Sequence, residues 1–297
     1  MNSLVGNKEQ QDFLKKLSLK EDIPHAFIFC GEDQIGKRGI ALSFAKSLIC
    51  GCGDCPICTM IDKGMCPDIC SITPQDKIIE IDKIRDLQKF LSLKSYFGGR
   101  KVAIIDDAHI MRSDAQNSLL KTLEEPSSNS ILILITSYPE MLLGTIRSRA
   151  ERINFNLTGK DEIRECLIGL GASRQEADEI CLVCSGRAGK AIELFKNEEK
   201  KFFLFKTLED IKSLEKKGFN ERFEYAKTIS EDSEKMEEVL DIFERYFRGV
   251  MLFKLFKNQS KISKTKKIIE SVQETKYYFK NTNTNKKLLL ENLLIKL

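Results

Sequence analysis

The sequence has no tryptophan, two histidines, six prolines and no long apolar run. Its longest purely aliphatic stretch, Ile131 to Ile135, falls far short of the roughly 18 residues that a membrane-spanning helix needs. Met1-Asn2-Ser3-Leu4 opens no cationic, apolar signal segment, so a cytosolic location is expected. Internal repeats and low-complexity linkers are also missing. At 297 residues, with 42% hydrophobic and 31% charged residues and a formal net charge of +4, the chain reads as an ordinary globular protein of two or three domains. A peptide hormone, a fibrous protein and a disulfide mini-scaffold are excluded.

Cysteine is plentiful by contrast. Seven of the ten fall between Cys30 and Cys70, and four lie within Cys50 to Cys58. A reducing compartment favours thiols or a metal site over disulfides. Cys52-x2-Cys55-x2-Cys58 with Cys50 before it has the spacing of a tetrahedral Zn²⁺ site, and Gly and Pro between the ligands permit tight turns. Catalytic zinc usually takes histidine and keeps an open position, yet His25 and His109 lie elsewhere. A closed structural site is therefore expected, with Cys66 as the alternative to Cys50 for the fourth ligand.

The first half alternates strand and helix patterns, as a parallel sheet with covering helices would. Ala26–Cys30, Lys101–Asp106 and Ile131–Thr136 read as buried strands. Lys37–Leu48, Ile81–Leu93 and Asp114–Leu123 read as helices, the last stopped by Glu124-Glu125-Pro126. After Phe155 only helical periodicity remains, which places boundaries near 155 and 200. From Arg245 to Lys287 there are twelve Lys or Arg against two Glu, an excess that either meets phosphate or an acidic partner, or stands as solvated lysine on helix backs.

Three motifs carry chemistry. Gly31-x4-Gly36-Lys37-Arg38 follows a strand and opens a helix, the context of a phosphate-binding loop. A working loop carries Ser or Thr after the lysine to ligate Mg²⁺; Arg38 cannot. The Lys101 strand delivers Asp106 and Asp107 at its carboxyl end, where ligands bind in open α/β sheets. The second acid is usually Glu, so Asp107 stops one methylene short of polarising water, and hydrolysis is expected to be poor. Finally, Thr145-Ile146-Arg147-Ser148-Arg149-Ala150 follows the Ile131 strand. Its second arginine either pairs with a carboxylate of its own chain or, as in ring-shaped ATPases, reaches into a neighbour's nucleotide site.

In chain order these motifs, together with Cys66-Pro67-Asp68, Asp106-Asp107-Ala108-His109, the string Asn117-Ser118-Leu119-Leu120-Lys121-Thr122-Leu123-Glu124-Glu125-Pro126 and Ile146-Arg147-Ser148-Arg149, resemble the clamp-loader family of bacterial DNA polymerase III. Lys37-Arg38 favours its delta-prime branch over the ATP-hydrolysing gamma/tau branch. The likeness spans about Leu4 to Phe155. Beyond it, only the layout and Gly186-Arg187-Ala188-Gly189-Lys190-Ala191 are similar.

The resemblance implies an AAA+ architecture. An α/β P-loop domain with a parallel sheet and flanking helices would occupy 1–155, with a zinc insertion at 50–66. An all-α lid would follow at 156–199, and an all-α collar at 200–297 would join five subunits in a ring. It further implies Cys50, Cys52, Cys55 and Cys58 as zinc ligands, Arg149 as a trans-acting arginine finger, Thr136 as a first sensor and Lys190 as a second. Gly31, Gly36, Lys37, Arg38, Asp106 and Asp107 would complete a degenerate ATP or ADP site. Two departures stand out: Ala150 replaces the Cys expected after Ser148-Arg149, and Cys50-x-Cys52 is shorter than the common spacing. The implied function is that of a non-hydrolysing stator within the DNA polymerase III holoenzyme. Its partners would be gamma/tau and delta subunits, the sliding clamp and, through the complex, primer–template DNA, with no membrane involved. The alternative is an active AAA+ ATPase of the gamma/tau kind.

Overall fold

A computed structural model describes residues 4–52, 55–74, 78–127, 129–256 and 262–297, with the side chains of 253–256 and 262 excepted. The chain divides into two compact units, Met1–Cys166 with Gly186–Lys190, and Leu167–Ser185 with Ala191–Leu297.

The first unit is built on five parallel strands: β1 (Ala26–Cys30), β2 (Ile69–Ile72), β3 (Lys101–Ile105), β4 (Ser130–Thr136) and β5 (Glu151–Asn154). Their order is β2-β3-β4-β1-β5. Every residue of β1, β3 and β4 is buried, which is why these three are apolar except at their ends (Lys101, Ser130 and Thr136) and stand in the middle. The two edge strands are short and only partly buried.

Alternation along each strand sends side chains to two cores. Ala26, Ile28, Ala103, Ile105, Leu132 and Leu134 face one layer, packed with Ile84 and Leu87 of α4 (Ile81–Ser92) and Leu119 of α5 (Ser113–Glu124). Phe27, Phe29, Val102, Ile104 and Ile133 face the other, against Leu14 of α1 (Lys8–Ser18) and Ile40 and Phe44 of α2 (Lys37–Ile49). Phe27 meets Phe44 edge to face at 5.4 Å. A short helix, α3 (Pro56–Asp62), follows the cysteine-rich turn, and α6 (Gly144–Arg147) precedes β5.

The predicted elements of this half are present with ends shifted by a residue or two. Five elements were not foreseen: β2 and β5, whose four residues each include polar ones, α1 and α3, with two buried apolar residues apiece, and the single turn α6.

After β5 the chain is helical, as expected: α7 (Lys160–Gly169), α8 (Arg174–Cys184), α9 (Ala188–Lys196), α10 (Glu198–Leu214), α11 (Phe219–Ser230), α12 (Ser233–Phe256), α13 (Ile262–Asn281) and α14 (Lys286–Ile295). Within the second unit α12 packs along α13, and α11 along α14. Leu208, Ile211, Leu240, Phe243, Val272 and Leu293 are buried there. Buried Arg222 ties helix ends together: its Nε donates to the carbonyls of Leu214 and Lys217, and its Nη1 to that of Leu294 at 2.8 Å.

Candidate functional site

The parallel topology places the carboxyl ends of β1, β4 and β3 side by side, so the loops that follow them converge. Cys30 is in register with Thr136, and the Gly31 amide donates to the Thr136 carbonyl at 3.3 Å. Gly36 caps α2 with φ of 103°, a left-handed conformation that explains glycine at that point of the loop.

Lys37 is buried, and its ammonium donates to the carbonyls of Gly31 (2.5 Å) and Glu32 (2.6 Å) and to Ser137 Oγ (3.1 Å). Burial lowers its pKa, opposed by the carboxylates of Asp33, Asp107 and Asp106. Ser137 also donates to Asp33. The loop therefore keeps the scaffold of a phosphate cradle while its lysine is engaged by the cradle's own first two carbonyls.

Arg38 extends toward β3, where its Nη1 stands 3.9 Å from Asp106 Oδ2. That is too long for a hydrogen bond and close enough for charge neutralisation. Burial and the charge of Asp107 raise the Asp106 carboxyl above its usual range, while Arg38 and the Asp107 amide pull it back. A guanidinium thus sits beside the acid that would otherwise hold a cation through water. Asp107 lies in the left-handed region with φ of 47°.

Thr136 is wholly buried, with its hydroxyl 3.2 Å from His109 Nδ1 and accepting the Tyr138 amide at 3.0 Å. Residues 186–190 close on the loop from the other side. The Lys190 amide donates to the Gln34 carbonyl at 2.9 Å, and Arg187 pairs with Glu32 at 2.5 Å. A Cβ on Gly189 would lie 2.7 Å from the Gln34 carbonyl oxygen and 2.8 Å from the Gly36 nitrogen, so only glycine allows this approach. Gly31, Gly36, Lys37, Arg38, Asp106, Asp107, Thr136 and Lys190 are accordingly gathered at one end of the sheet.

Arg149 lies just past α6. Its Nη2 pairs with Glu124 Oε1 at 3.0 Å, and its Nη1 donates to the Thr145 carbonyl at 3.2 Å. Pairing with a carboxylate of its own chain, one of the two roles open to this arginine, is therefore present in this structure. The side chains are 38% and 53% exposed, which makes the pair weak.

The four cysteines form a cluster. Cys50 ends α2, Cys52 lies in the turn, Cys55 caps α3 and Cys58 sits in its first turn; Gly53 and Asp54 lie outside the described residues. Cys58 Sγ is 3.1 Å from that of Cys50, 3.9 Å from Cys52 and 3.7 Å from Cys55, and all four sulfurs lie within 4.8 Å of one another. Thiolates about 2.3 Å from a tetrahedral Zn²⁺ would stand roughly 3.8 Å apart, so the donor set and its spacing fit that ion. Burial, with hydrogen bonding to Cys58, pushes the Cys50 thiol up to about 12. Cys66, the alternative fourth ligand, is buried outside this group. Lys46 and Asp62, paired at 2.8 Å, tie α3 to α2.

Several residues escaped sequence reasoning. Asp68 is completely buried and accepts from Ser95 Oγ (2.8 Å) and the amides of Tyr96 (2.7 Å) and Phe97 (3.0 Å). Burial alone would raise its carboxyl, but these donors outweigh burial and hold it below the usual range. Ser137, Arg187, Glu32 and Glu124 meet their partners only through the fold. The basic stretch after Arg245 is largely answered within its own unit: Lys276 pairs with Asp241 and Glu244, Lys280 with Glu237 and Lys287 with Glu291. Lys257 and Lys261 of that stretch lie outside the described residues. Among the described residues no helix is long and apolar enough to cross a membrane.

A family profile described as "DNA polymerase III, delta subunit" matches residues 6–158, just over half of the chain. Over 187 residues the chain is 36% identical to DNA polymerase III subunit delta' of Pseudomonas aeruginosa, covering 60% of this chain and 57% of that one. Over 186 residues it is 33% identical to the Bacillus subtilis subunit delta', covering 61% and 56%. It thus spans little more than half the length of these relatives. The solved structure of a DNA polymerase III gamma subunit-related protein from Thermotoga maritima shares the fold, with a TM-score of 0.58 at 23% identity over 96% of this chain and 97% of that one. Because the profile runs from before the phosphate-cradle strand to beyond the last strand of the sheet, the chain belongs to the DNA polymerase III delta subunit family, with delta' subunits among its relatives.

Proposed function

We propose that this chain is the non-hydrolysing stator of a bacterial DNA polymerase III clamp loader, a delta-prime subunit. It holds Arg149 toward the nucleotide site of a neighbouring gamma/tau-type ATPase while a five-membered ring with gamma/tau and delta subunits opens the sliding clamp and places it on primer–template DNA. The observation that carries this reading is Arg38 beside Asp106, a fixed cation where Mg²⁺ would be needed. The match to a delta' subunit also supports it, since it covers 60% of this chain where a tau subunit of equal identity covers 51%. On this reading residues 1–155 form the AAA+ domain, 156–199 the lid and 200–297 the collar, and the protein works in the cytoplasm. The isolated chain then has neither polymerase nor significant ATPase activity.

The chain's own groups account for each part. Lys37 is spent on the carbonyls of Gly31 and Glu32, Thr136 on His109 and the Tyr138 amide, and Asp106 is partly neutralised by Arg38. Zn²⁺, held by Cys50, Cys52, Cys55 and Cys58, would supply only a structural cross-link, since four thiolates leave no open position.

The rival is an active ATPase of the gamma/tau kind. Mg²⁺-dependent ATP turnover by the isolated wild-type chain separates the two: the stator gives none above background, and turnover abolished by Lys37→Ala establishes the rival. Reconstitution with gamma/tau, delta and the clamp tests the rest. Arg149→Ala is expected to assemble normally and to lower DNA- and clamp-stimulated hydrolysis. An arginine finger is worth roughly 10³- to 10⁵-fold at the site it serves, and the whole ring shows less because only one of its sites faces this subunit.

A further inference from the structure

Arg149 is held from two elements at once. Its Nη2 meets Glu124 at the end of α5 at 3.0 Å, and its Nη1 meets the Thr145 carbonyl in α6 at 3.2 Å. Together they fix the plane of the guanidinium. Nη1 also reaches Ser148 Oγ at 3.5 Å; a guanidinium carries five N–H donors, so these contacts leave at least two for oxygens of an approaching phosphoryl group.

Glu124 is also on the wrong end of its helix. It is the last residue of α5, Glu125 is the cap and Pro126 follows, so two carboxylates face the negative end of the helix dipole, where cations are preferred. A residue that opposes local helix stability needs another reason for its place, and the partner it meets is Arg149.

We propose that Glu124 is a positioning residue for Arg149: it pre-orders the guanidinium on the subunit surface, so that docking against the neighbour does not have to freeze a long, freely rotating side chain. This rests on the reading of Arg149 as acting in trans. The pair is solvent-exposed on both sides, so it orders the arginine without sequestering it, and a phosphate of higher charge can compete for the same donors.

The test uses the reconstituted ring with clamp and primed DNA, comparing wild type, Glu124→Ala, Glu124→Gln, Glu124→Asp and Arg149→Ala. Loss of an ordering contact of this strength is expected to lower the turnover that depends on Arg149 by about two- to fivefold in Glu124→Ala. The ATP concentration for half-maximal rate should stay unchanged. Glu124→Gln should be intermediate, because it keeps an acceptor and loses the charge, and Glu124→Asp should recover part of the rate. The melting temperature of each free variant should fall by no more than about 4 °C, the most that loss of one exposed ion pair brings. Wild-type turnover in Glu124→Ala alongside reduced turnover in Arg149→Ala would refute the positioning role and leave the trans role standing. No effect of Arg149→Ala would remove both. A fall of more than about 4 °C in the melting temperature of free Glu124→Ala would assign the residue to stability instead.

Discussion

The phosphate loop and the cysteine loop begin 19 residues apart, at Gly31 and Cys50, and both are legible by spacing, yet they are built in opposite ways. The phosphate loop is a finished scaffold: it follows a central strand, opens a 13-residue helix and is covered by residues 186–190. Its chemistry is cancelled by single side chains, Arg38 first and the short Asp107 after it. The cysteine loop has almost no core, with Cys58 and Ile61 its two buried residues on α3. It has all of its chemistry, four sulfurs within reach of one ion. Spacing therefore reports the backbone in the first case and the ligand set in the second. Only the identity of single residues says which loop is still in use.

Removing the metal should give the largest effect, because a structural Zn²⁺ contributes folding free energy directly. Purified without chelator, the protein is expected to carry one Zn²⁺ per chain by elemental analysis, and Cys55→Ser to lose most of it. Amide exchange should then rise across residues 50–62 while β1, β3 and β4 stay protected. Protection of residues 50–62 that is unchanged after chelation would show that the loop does not depend on metal, and the contrast with the phosphate loop would collapse.

A smaller effect comes from the acid that Arg38 only partly neutralises. Burial and Asp107 raise the Asp106 carboxyl above its ordinary value of 3.8. A raised acid favours the protonated native state, so this contribution is complete below that ordinary value and is lost as pH rises through the folded one. Asp106→Asn is therefore expected to be more stable than wild type at neutral pH, with the difference vanishing below about pH 4 in denaturant titrations. A variant less stable than wild type at pH 7 would mean that the Arg38 contact outweighs burial.

The three central strands were legible because strands buried on both faces must be apolar along their whole length. The edges were not: Glu151-Arg152-Ile153-Asn154 carries one buried side chain, and no hydrophobic period survives in four such residues. At the site the legible part was whatever a spacing rule covers, namely Gly31 to Arg38, the four cysteines and the two acids. Lys37 to Ser137 spans 100 residues and Arg187 to Glu32 spans 155, and no local pattern announces partners at such distances. The basic tract near the C-terminus left two readings open for the same reason, since its carboxylate partners lie mostly in α12.

Arg149→Ala in the free subunit should shift stability less still. Its partner is exposed, and such pairs are worth about 0.2–1 kcal/mol, so the melting temperature should fall by no more than about 4 °C in a calorimetric scan. A larger drop would mark the pair as part of the fold and weaken its assignment to a neighbour's site.

The smallest expected effect is the most informative about the phosphate loop. Arg38→Thr supplies the missing Mg²⁺-binding hydroxyl on a scaffold that is otherwise in place, so if that side chain were the whole difference, ATP turnover would appear. None is expected. Asp107 remains too short to orient a water, and its φ of 47° aims it from a left-handed residue. Lys37 must also give up the Gly31 and Glu32 carbonyls before it can reach a phosphate. What the substitution can restore is binding: with Asp106 released from the guanidinium, Mg²⁺-dependent retention of a nucleotide should become measurable by titration calorimetry. Arg38→Thr with Asp107→Glu is then the variant in which slow turnover could emerge. Turnover by the single variant would show that Arg38 alone separates this loop from a working one. Failure of even the double variant to hold nucleotide would move the block to residues 186–190, where Gly189 lies against Gly36.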